Sequence, residues 1–318
     1  MSDNLNILLV GASQMAVDYH KVLKALKCEV TVVGRSKSGV EKFRELTGSE
    51  AIEGGLSDFL LHNDLKRFSS AIVAVGLEEL FATTVALLKA GIKKILVEKP
   101  AGLNFEEIEK LSLSALEMKA EIYVAYNRRF YESVLQARKI IEEDGGVSSF
   151  HFEFTEWSHV IEKIDKKPGI KENWFLANSS HVVDLAFFMG GEPEKLSAYT
   201  SGSLSWHPVS IFAGSGITKK GALFTYHSNW EAPGRWFVEL LTNKHRLILK
   251  PLEELHIQKR GSVLVEKMQL DSELDLNYKP GLFRQTQAFV HGSGSDLFSL
   301  QDHKMRLKYL KQIVNQID

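Results

Sequence analysis

Apolar and polar positions divide the chain into two kinds of pattern. Over the first 125 residues, short apolar runs at 7–10, 30–33, 71–75, 95–97 and 122–125 read as buried strands. Between them the period lengthens. Met15, Tyr19, Val22, Leu23 and Leu26 share one helical face, residues 77–90 form a second helix closed by Gly91, and Asn104 with Glu107 opens a third that runs to Lys119. Strands alternating with helices in this order predict an α/β fold, a doubly wound parallel sheet with helices on both faces. Ligands of such a sheet sit just beyond the carboxyl ends of its strands.

After residue 125 the pattern changes. A helix at 131–143 leads to a strand at 147–157, with Phe150, Phe152 and Phe154 on one face and His151, Glu153 and Thr155 on the other. A helix at 179–189 precedes strand candidates at 196–200, 222–230, 236–241, 246–249, 255–258 and 263–268, with tight turns at Asn243-Lys244 and Arg260-Gly261. These hairpins predict an α+β region with a large, mostly antiparallel open sheet. Helices at 283–291 and 300–317 close the chain, and the Gly/Ser pieces at 201–205 and 214–216 read as surface loops. The expected domains are 1–124 and 125–318.

Composition narrows the partners. The 318 residues, 44% hydrophobic and 25% charged, suffice for two folded cores. A net charge of -1 offers no electrostatic case for nucleic acid or an acidic membrane. Cys28 is the single cysteine, so no internal disulfide or cysteine-based zinc site forms, and the histidines lack metal-binding spacing; no metal is expected. The amino-terminal stretch is unlike a signal peptide and no apolar run has the length of a membrane span, so a cytoplasmic location is expected.

The chemistry gathers at strand ends. After the first strand the chain reads Gly11-Ala12-Ser13-Gln14-Met15-Ala16. Gly11 supplies a tight turn, Ser13 is small and carries a hydroxyl, and Ala16 permits close helix–strand packing; such a turn at a helix amino terminus suits a pyrophosphate. Taken alone it is equally consistent with a structural turn. After the second strand, where an NAD-preferring domain carries an acid, stand Arg35 and Ser36. A guanidinium stacks on adenine and pairs with a 2′-phosphate, which favours NADP over NAD. The fourth strand ends in Glu98-Lys99-Pro100. A lysine there can donate a proton to a carbonyl under reduction, and Pro100 fixes its backbone.

These residues, together with Tyr126-Asn127-Arg128-Arg129-Phe130 and His181-Val182-Val183-Asp184, resemble the glucose–fructose oxidoreductase / inositol dehydrogenase / MocA-type family. The first group matches its E-K-P motif, the second its N-R-R-F segment and the third its H-x-x-D helix. The resemblance implies an amino-terminal NAD(P)-binding Rossmann domain and a second domain for substrate binding and oligomerisation. It implies an NAD(P)-dependent dehydrogenase or reductase acting on the CH–OH group of a sugar, polyol or sugar derivative. Lys99 and His181 would be catalytic. Gly11, Ser13, Gln14, Met15, Arg35, Ser36, Ala74, Val75, Gly76, Glu98, Lys99 and Asn127 would hold the cofactor. Lys99, Tyr126, Arg128, Trp174, Asn178 and His181 would meet substrate, with Asn178 or Ser179 capping the histidine's helix. A homo-oligomer, dimer or tetramer, would form through the second sheet.

Two positions depart from the family. Many members carry Asp four residues before the histidine, where this chain has Ala177, and Thr-Pro where it has Val75-Gly76. The first change leaves two alternatives open: a cofactor-binding regulator without catalysis, and cofactor-assisted sugar bond cleavage.

Overall fold

The computed structural model describes residues 5–292 and 297–315. The chain opens with β1 (Asn6–Val10), α1 (Gln14–Ala25), β2 (Glu29–Val33), α2 (Lys37–Thr47), α3 (Gly55–His62), β3 (Ser70–Val73) and α4 (Leu80–Lys89). Then come β4 (Lys94–Glu98), α5 (Phe105–Glu117), β5 (Glu121–Ala125), α6 (Glu132–Glu143), β6 (Ser149–Glu153), α7 (Ser158–Ile161) and α8 (Ser180–Gly190). Strands β7 (Pro193–Ser201), β8 (Ile211–Thr218), β9 (Leu223–Asn229), β10 (Phe237–Leu241), β11 (His245–Leu249), β12 (His256–Lys259) and β13 (Val265–Lys267) follow. The chain ends with α9 (Glu273–Asn277), α10 (Leu282–His291), β14 (Phe298–Ser299) and α11 (Leu300–Ile313). The last two residues of the expected closing helix, 316 and 317, lie outside the described residues.

The chain divides into two compact units. The first comprises the described residues through Tyr126 together with Leu276–Met305; the second is Asn127–Asp275 with the described residues from Arg306 onward. The expected division at 124/125 assigned everything after it to one domain. Instead, residues 276–305 return to the first unit, where β14 pairs antiparallel with β5. A two-residue strand has no period of its own, so pairing alone defines it.

In the first unit the sheet order is β14-β5-β4-β3-β1-β2, with β1 to β5 parallel. Ile7, Leu8, Leu9, Ile95, Leu96 and Val97 are fully buried, as continuous apolar runs between two helical layers require. Helix α1 buries Ala16, Tyr19, Val22 and Leu23. Ahead of α5, Asn104 accepts the Glu107 amide at 3.0 Å while the Glu107 carboxylate accepts the Leu103 amide at 2.7 Å. That is a capping box shifted by one residue.

The second unit is built on an eight-stranded sheet, β13-β12-β11-β10-β6-β9-β8-β7, antiparallel except where β6 runs parallel to β9. Phe150, Phe152 and Phe154 pack against Phe187 of α8, Phe175, Phe224 and Tyr226, forming an aromatic core. The strand expected at 147–157 is shorter, Ser149–Glu153, because the chain leaves the ladder after Glu153. Residues 214–216, expected in a loop, lie in the middle of β8 and pair on both sides. A Cβ at Gly214 would stand 2.4 Å from the Tyr226 ring, and one at Gly216 would stand 2.1 Å from the Lys195 carbonyl oxygen. Close approach, not a turn, accounts for both glycines. A buried ion network ties α8 to the turn at Asn127–Phe130: Arg129 donates twice to Asp184, at 2.8 and 2.6 Å, and Arg306 donates to the same carboxylate.

No helix among the described residues is long and apolar enough to cross a membrane.

Candidate active site

The first unit carries a crevice of about 440 Å³ beyond the carboxyl ends of β1, β2 and β3, lined by Gly11, Ser13, Arg35, Ser36, Val75 and Gly76 among others. Its floor is the turn after β1. Gly11 has φ 127°, and a Cβ there would lie 2.2 Å from the Ala74 carbonyl oxygen. Only glycine lets β1 approach the end of β3 this closely. Ser13 precedes α1 in extended geometry, and its hydroxyl donates to the Ala74 carbonyl at 3.3 Å. The first amides of α1 have no intrahelical acceptor and mark the positive end of the helix dipole. A pyrophosphate therefore fits this turn.

Arg35 and Ser36 lie at the far end of the crevice, already engaged. Arg35 donates to Glu79 at 2.8 Å, with both side chains substantially exposed. The Ser36 hydroxyl accepts the Gly39 amide at 3.2 Å and caps α2. The acid absent from the end of β2 is thus supplied after β3. Sequence reasoning missed Glu79, since only the fold brings residues 35 and 79 together. Gln14 is exposed and donates to Asp18 at 3.0 Å, and Met15 meets the Lys279 ammonium at 2.7 Å. Lys279, on the segment that returns from the second half of the chain, was likewise unforeseen.

Glu98 ends β4, and the turn after it is braced from two sides. Tyr19 of α1 donates to the Glu98 carboxylate at 2.8 Å. His303 of α11 donates through Nε2 to the Pro100 carbonyl at 3.1 Å. Burial raises the Glu98 carboxyl above its usual range, opposed by Lys99, the Tyr19 hydroxyl and Lys279. Burial and the Glu98 charge push Tyr19 well upward, so it keeps its proton and remains the donor. Lys99 follows directly, half-buried, and the Lys99–Pro100 peptide is cis. Tyr126 is buried edge-on against Phe298 and His303, so its ring packs the first unit's core.

In the second unit His181 is buried near the start of α8, its ring 6.4 Å from that of Trp236. Arg128 and Arg235 place guanidinium groups 4.7 and 4.6 Å from the Trp236 centroid. Burial lowers the Arg128 pKa. Asn127 is buried in the turn just before Arg128. The expected cap at Asn178 or Ser179 is absent. A π-helical turn, Phe175–Ser179, runs straight into α8, and Ser179 has helical backbone geometry with no side-chain capping bond. The freed side chains turn to another partner. Asn178 and Ser179 donate to Glu156 Oε1 at 2.9 and 2.7 Å, and Arg235 stands 3.6 Å from Oε2. Trp174, at the start of the π turn, meets Trp206 edge-on at 6.2 Å. Glu156 and Trp236 carry no motif, and only the fold reveals them. Burial raises the Glu156 carboxyl to about 7 against the hydrogen bonds from Ser179 and Asn178 and the charge of Arg235. A group titrating there can exchange protons near neutral pH.

A tight glycine turn between a central parallel strand and a helix amino terminus, where the strand order reverses between β1 and β3, defines a dinucleotide-binding Rossmann domain. Residues 5–126 match the glucose–fructose oxidoreductase / inositol dehydrogenase / MocA model, an oxidoreductase family with an NAD-binding Rossmann fold. No curated protein matches the sequence. An oxidoreductase from Agrobacterium radiobacter, solved with NAD+, L-tartaric acid and magnesium, is similar at 13% identity and TM-score 0.78, over 98% of this chain and 96% of that one. A levoglucosan dehydrogenase in complex with NADH and L-sorbose is similar at 16% identity and TM-score 0.77, over 98% and 96%. A proposed NADPH-dependent oxidoreductase from Desulfitobacterium hafniense reaches TM-score 0.78 at 13% identity, over 100% and 96%. At these identities the likeness establishes the fold.

Proposed function

We propose that the protein is an NADP-preferring oxidoreductase that transfers a hydride between the nicotinamide and a carbon-bound hydroxyl or ketone of a sugar, polyol or sugar derivative. The observation that carries this reading is Lys99, placed directly after β4 in a turn held by Tyr19 through Glu98 and by His303 through Pro100. A lysine braced at a strand end is positioned to protonate a forming alkoxide, or to take the alcohol's proton in the reverse direction. Gly11, Ser13 and the first amides of α1 would hold the pyrophosphate, with Ala74, Val75 and Gly76 along the crevice wall. A bound nicotinamide cofactor would supply the hydride acceptor or donor. Arg35 supports the 2′-phosphate preference, provided it exchanges Glu79 for the phosphate. His181 takes the role of a second proton-handling group, and Arg128, Trp174 and Asn178 that of substrate contacts. The open sheet of the second unit supports a homo-oligomer: Tyr199 and Leu223 on its strands are largely exposed.

Turnover of NADPH with a panel of sugar ketones, and of NADP+ with the matching alcohols, tests the reading. Lys99→Met should retain cofactor affinity and lose turnover by at least about 100-fold. Undiminished turnover would remove Lys99 from the mechanism.

A further inference from the structure

Binding a pyrophosphate calls for positive charge as well as free amides, and the crevice of the first unit is short of it. Among the residues that line it, Arg35 is the one cation and Glu79 the one acid, and these two already pair. The first turn of α1, Gln14 to Val17, carries neither an acid nor a base.

A cation arrives from elsewhere in the chain. Residues 278–281 join α9 to α10, within the stretch that returns to the first unit. Lys21 of α1 pins the start of this connection twice. Its ammonium donates to the Asn277 carbonyl at 2.7 Å and lies 5.1 Å from the centre of the Tyr278 ring. Tyr278 packs in turn on Phe283 of α10, ring centres 4.9 Å apart. The next residue, Lys279, is thereby carried to the amino end of the same helix, where Nζ stands 2.7 Å from the Met15 sulfur.

That resting place suits an ammonium poorly. A thioether is a weak acceptor, and the amino terminus is the positive end of the helix dipole, where a cation is disfavoured. No acid pairs with Lys279 among the described residues. Its charge reaches Glu98, but that carboxylate accepts from Tyr19 at 2.8 Å, and Lys99 acts on it more strongly. A cation pinned where its charge is unfavourable is accounted for once an anion joins it there.

We propose that Lys279 is a cofactor-binding residue, whose ammonium leaves the Met15 sulfur to pair with the pyrophosphate of a bound dinucleotide. This rests on the dinucleotide reading of the crevice, not on hydride transfer. It supplies the charge that the turn after β1 lacks, and it makes the 278–281 connection part of the cofactor site. The two cations then have separate tasks: Arg35 selects for a 2′-phosphate, while Lys279 holds the diphosphate common to NADPH, NADH and ADP-ribose.

The probes are NADPH and NADH, followed by their own fluorescence, and ADP-ribose competed against NADPH. They are titrated into wild type, Lys279→Gln and Lys279→Arg. Lys279→Gln should weaken all three about tenfold, since each carries the pyrophosphate, and Lys279→Arg should keep most of the affinity. Without nucleotide the Gln variant should melt no lower than wild type, while the rise in melting temperature at a fixed NADPH concentration should shrink. Unchanged affinity in Lys279→Gln would overturn the proposal. So would a loss confined to NADPH, which places Lys279 on the 2′-phosphate, or a nucleotide-free variant that melts well below wild type, which makes the role structural. NADPH turnover with the sugar ketones is measured alongside. Affinity that falls in Lys279→Gln of a chain that never turns over supports Lys279 and sinks the oxidoreductase reading. Turnover in a chain whose affinity ignores position 279 spares that reading and sinks Lys279. A wild type that binds none of the three nucleotides overturns both.

Discussion

Replacing Glu156 by Gln should stabilise the second unit at alkaline pH, although it removes a charge facing Arg235. Burial raises the Glu156 carboxyl from 4.5 to about 7, and the donors around it only partly oppose that rise. A carboxyl raised in this way binds its proton more tightly folded than unfolded. The stability it contributes is complete below about pH 4.5 and is lost as pH climbs through about 7. A rise of this size corresponds to roughly 3 kcal/mol. Gln keeps a carbonyl oxygen for Asn178 and Ser179 and never ionises, so the pH-dependent loss should vanish. Arg235 is half-exposed, so its attraction to the carboxylate is screened and does not cancel the desolvation cost.

Urea unfolding followed by tryptophan fluorescence isolates the effect, since every indole lies in the second unit. Near pH 4.5 wild type and variant should share a midpoint. By about pH 8.5 the variant's midpoint should lie higher by roughly 1 M, given a slope of about 3 kcal/mol/M. A variant less stable at every pH would show that the ionised carboxylate is held favourably, and the burial argument would fail. A gap constant with pH would refute it equally.

Two further outcomes follow from the first unit. Gly11→Ala forces a Cβ against the Ala74 carbonyl at φ 127°, and relief requires parting strands joined by the Gly11–Val33 and Ala74–Val10 hydrogen bonds, both 2.8 Å; a loss of about 2–5 kcal/mol and at least tenfold weaker NADPH binding are expected, and calorimetry with a fluorescence titration would expose the error if neither moved. Glu79→Gln removes the anion now paired with Arg35, so NADPH affinity should rise about three- to tenfold while Arg35→Ala lowers it; equal NADPH and NADH affinities in all three proteins would remove the 2′-phosphate argument.

The first unit was legible in the sequence because local pattern and tertiary role coincide there. A parallel strand covered on both sides must be apolar throughout, and runs such as Ile7 to Val10 and Ile95 to Val97 show this without reference to anything distant. Asn104 announces α5 because capping is chemistry within four residues. The failures share a different cause. Gly214 and Gly216 look like loop glycines until Tyr226 and Phe224 are laid over them from the neighbouring strand. Asn178 and Ser179 look like caps until a π turn carries the helix through them and aims them at Glu156. Glu79 meets Arg35 across 44 residues of chain. In each case the deciding partner lies on another element, where no window of sequence can weigh it.

Position 177 brings these points to bear on the chemistry. Judged by motif, Ala177 removes the acid that should accompany His181. Judged in space, a carboxylate is present beside the same turn, carried by Glu156 and held by residues 178 and 179. A second acid at 177 would sit on the same π turn as those donors, and a carboxyl brought beside Glu156 would raise the pKa of one of the pair. The two placements therefore behave as alternatives, and the small side chain at 177 is compatible with an acid arriving from 156. The substitution that weakens the resemblance by pattern does not empty the site of an acid. It changes which element supplies it, from the π turn ahead of His181 to the segment between β6 and α7.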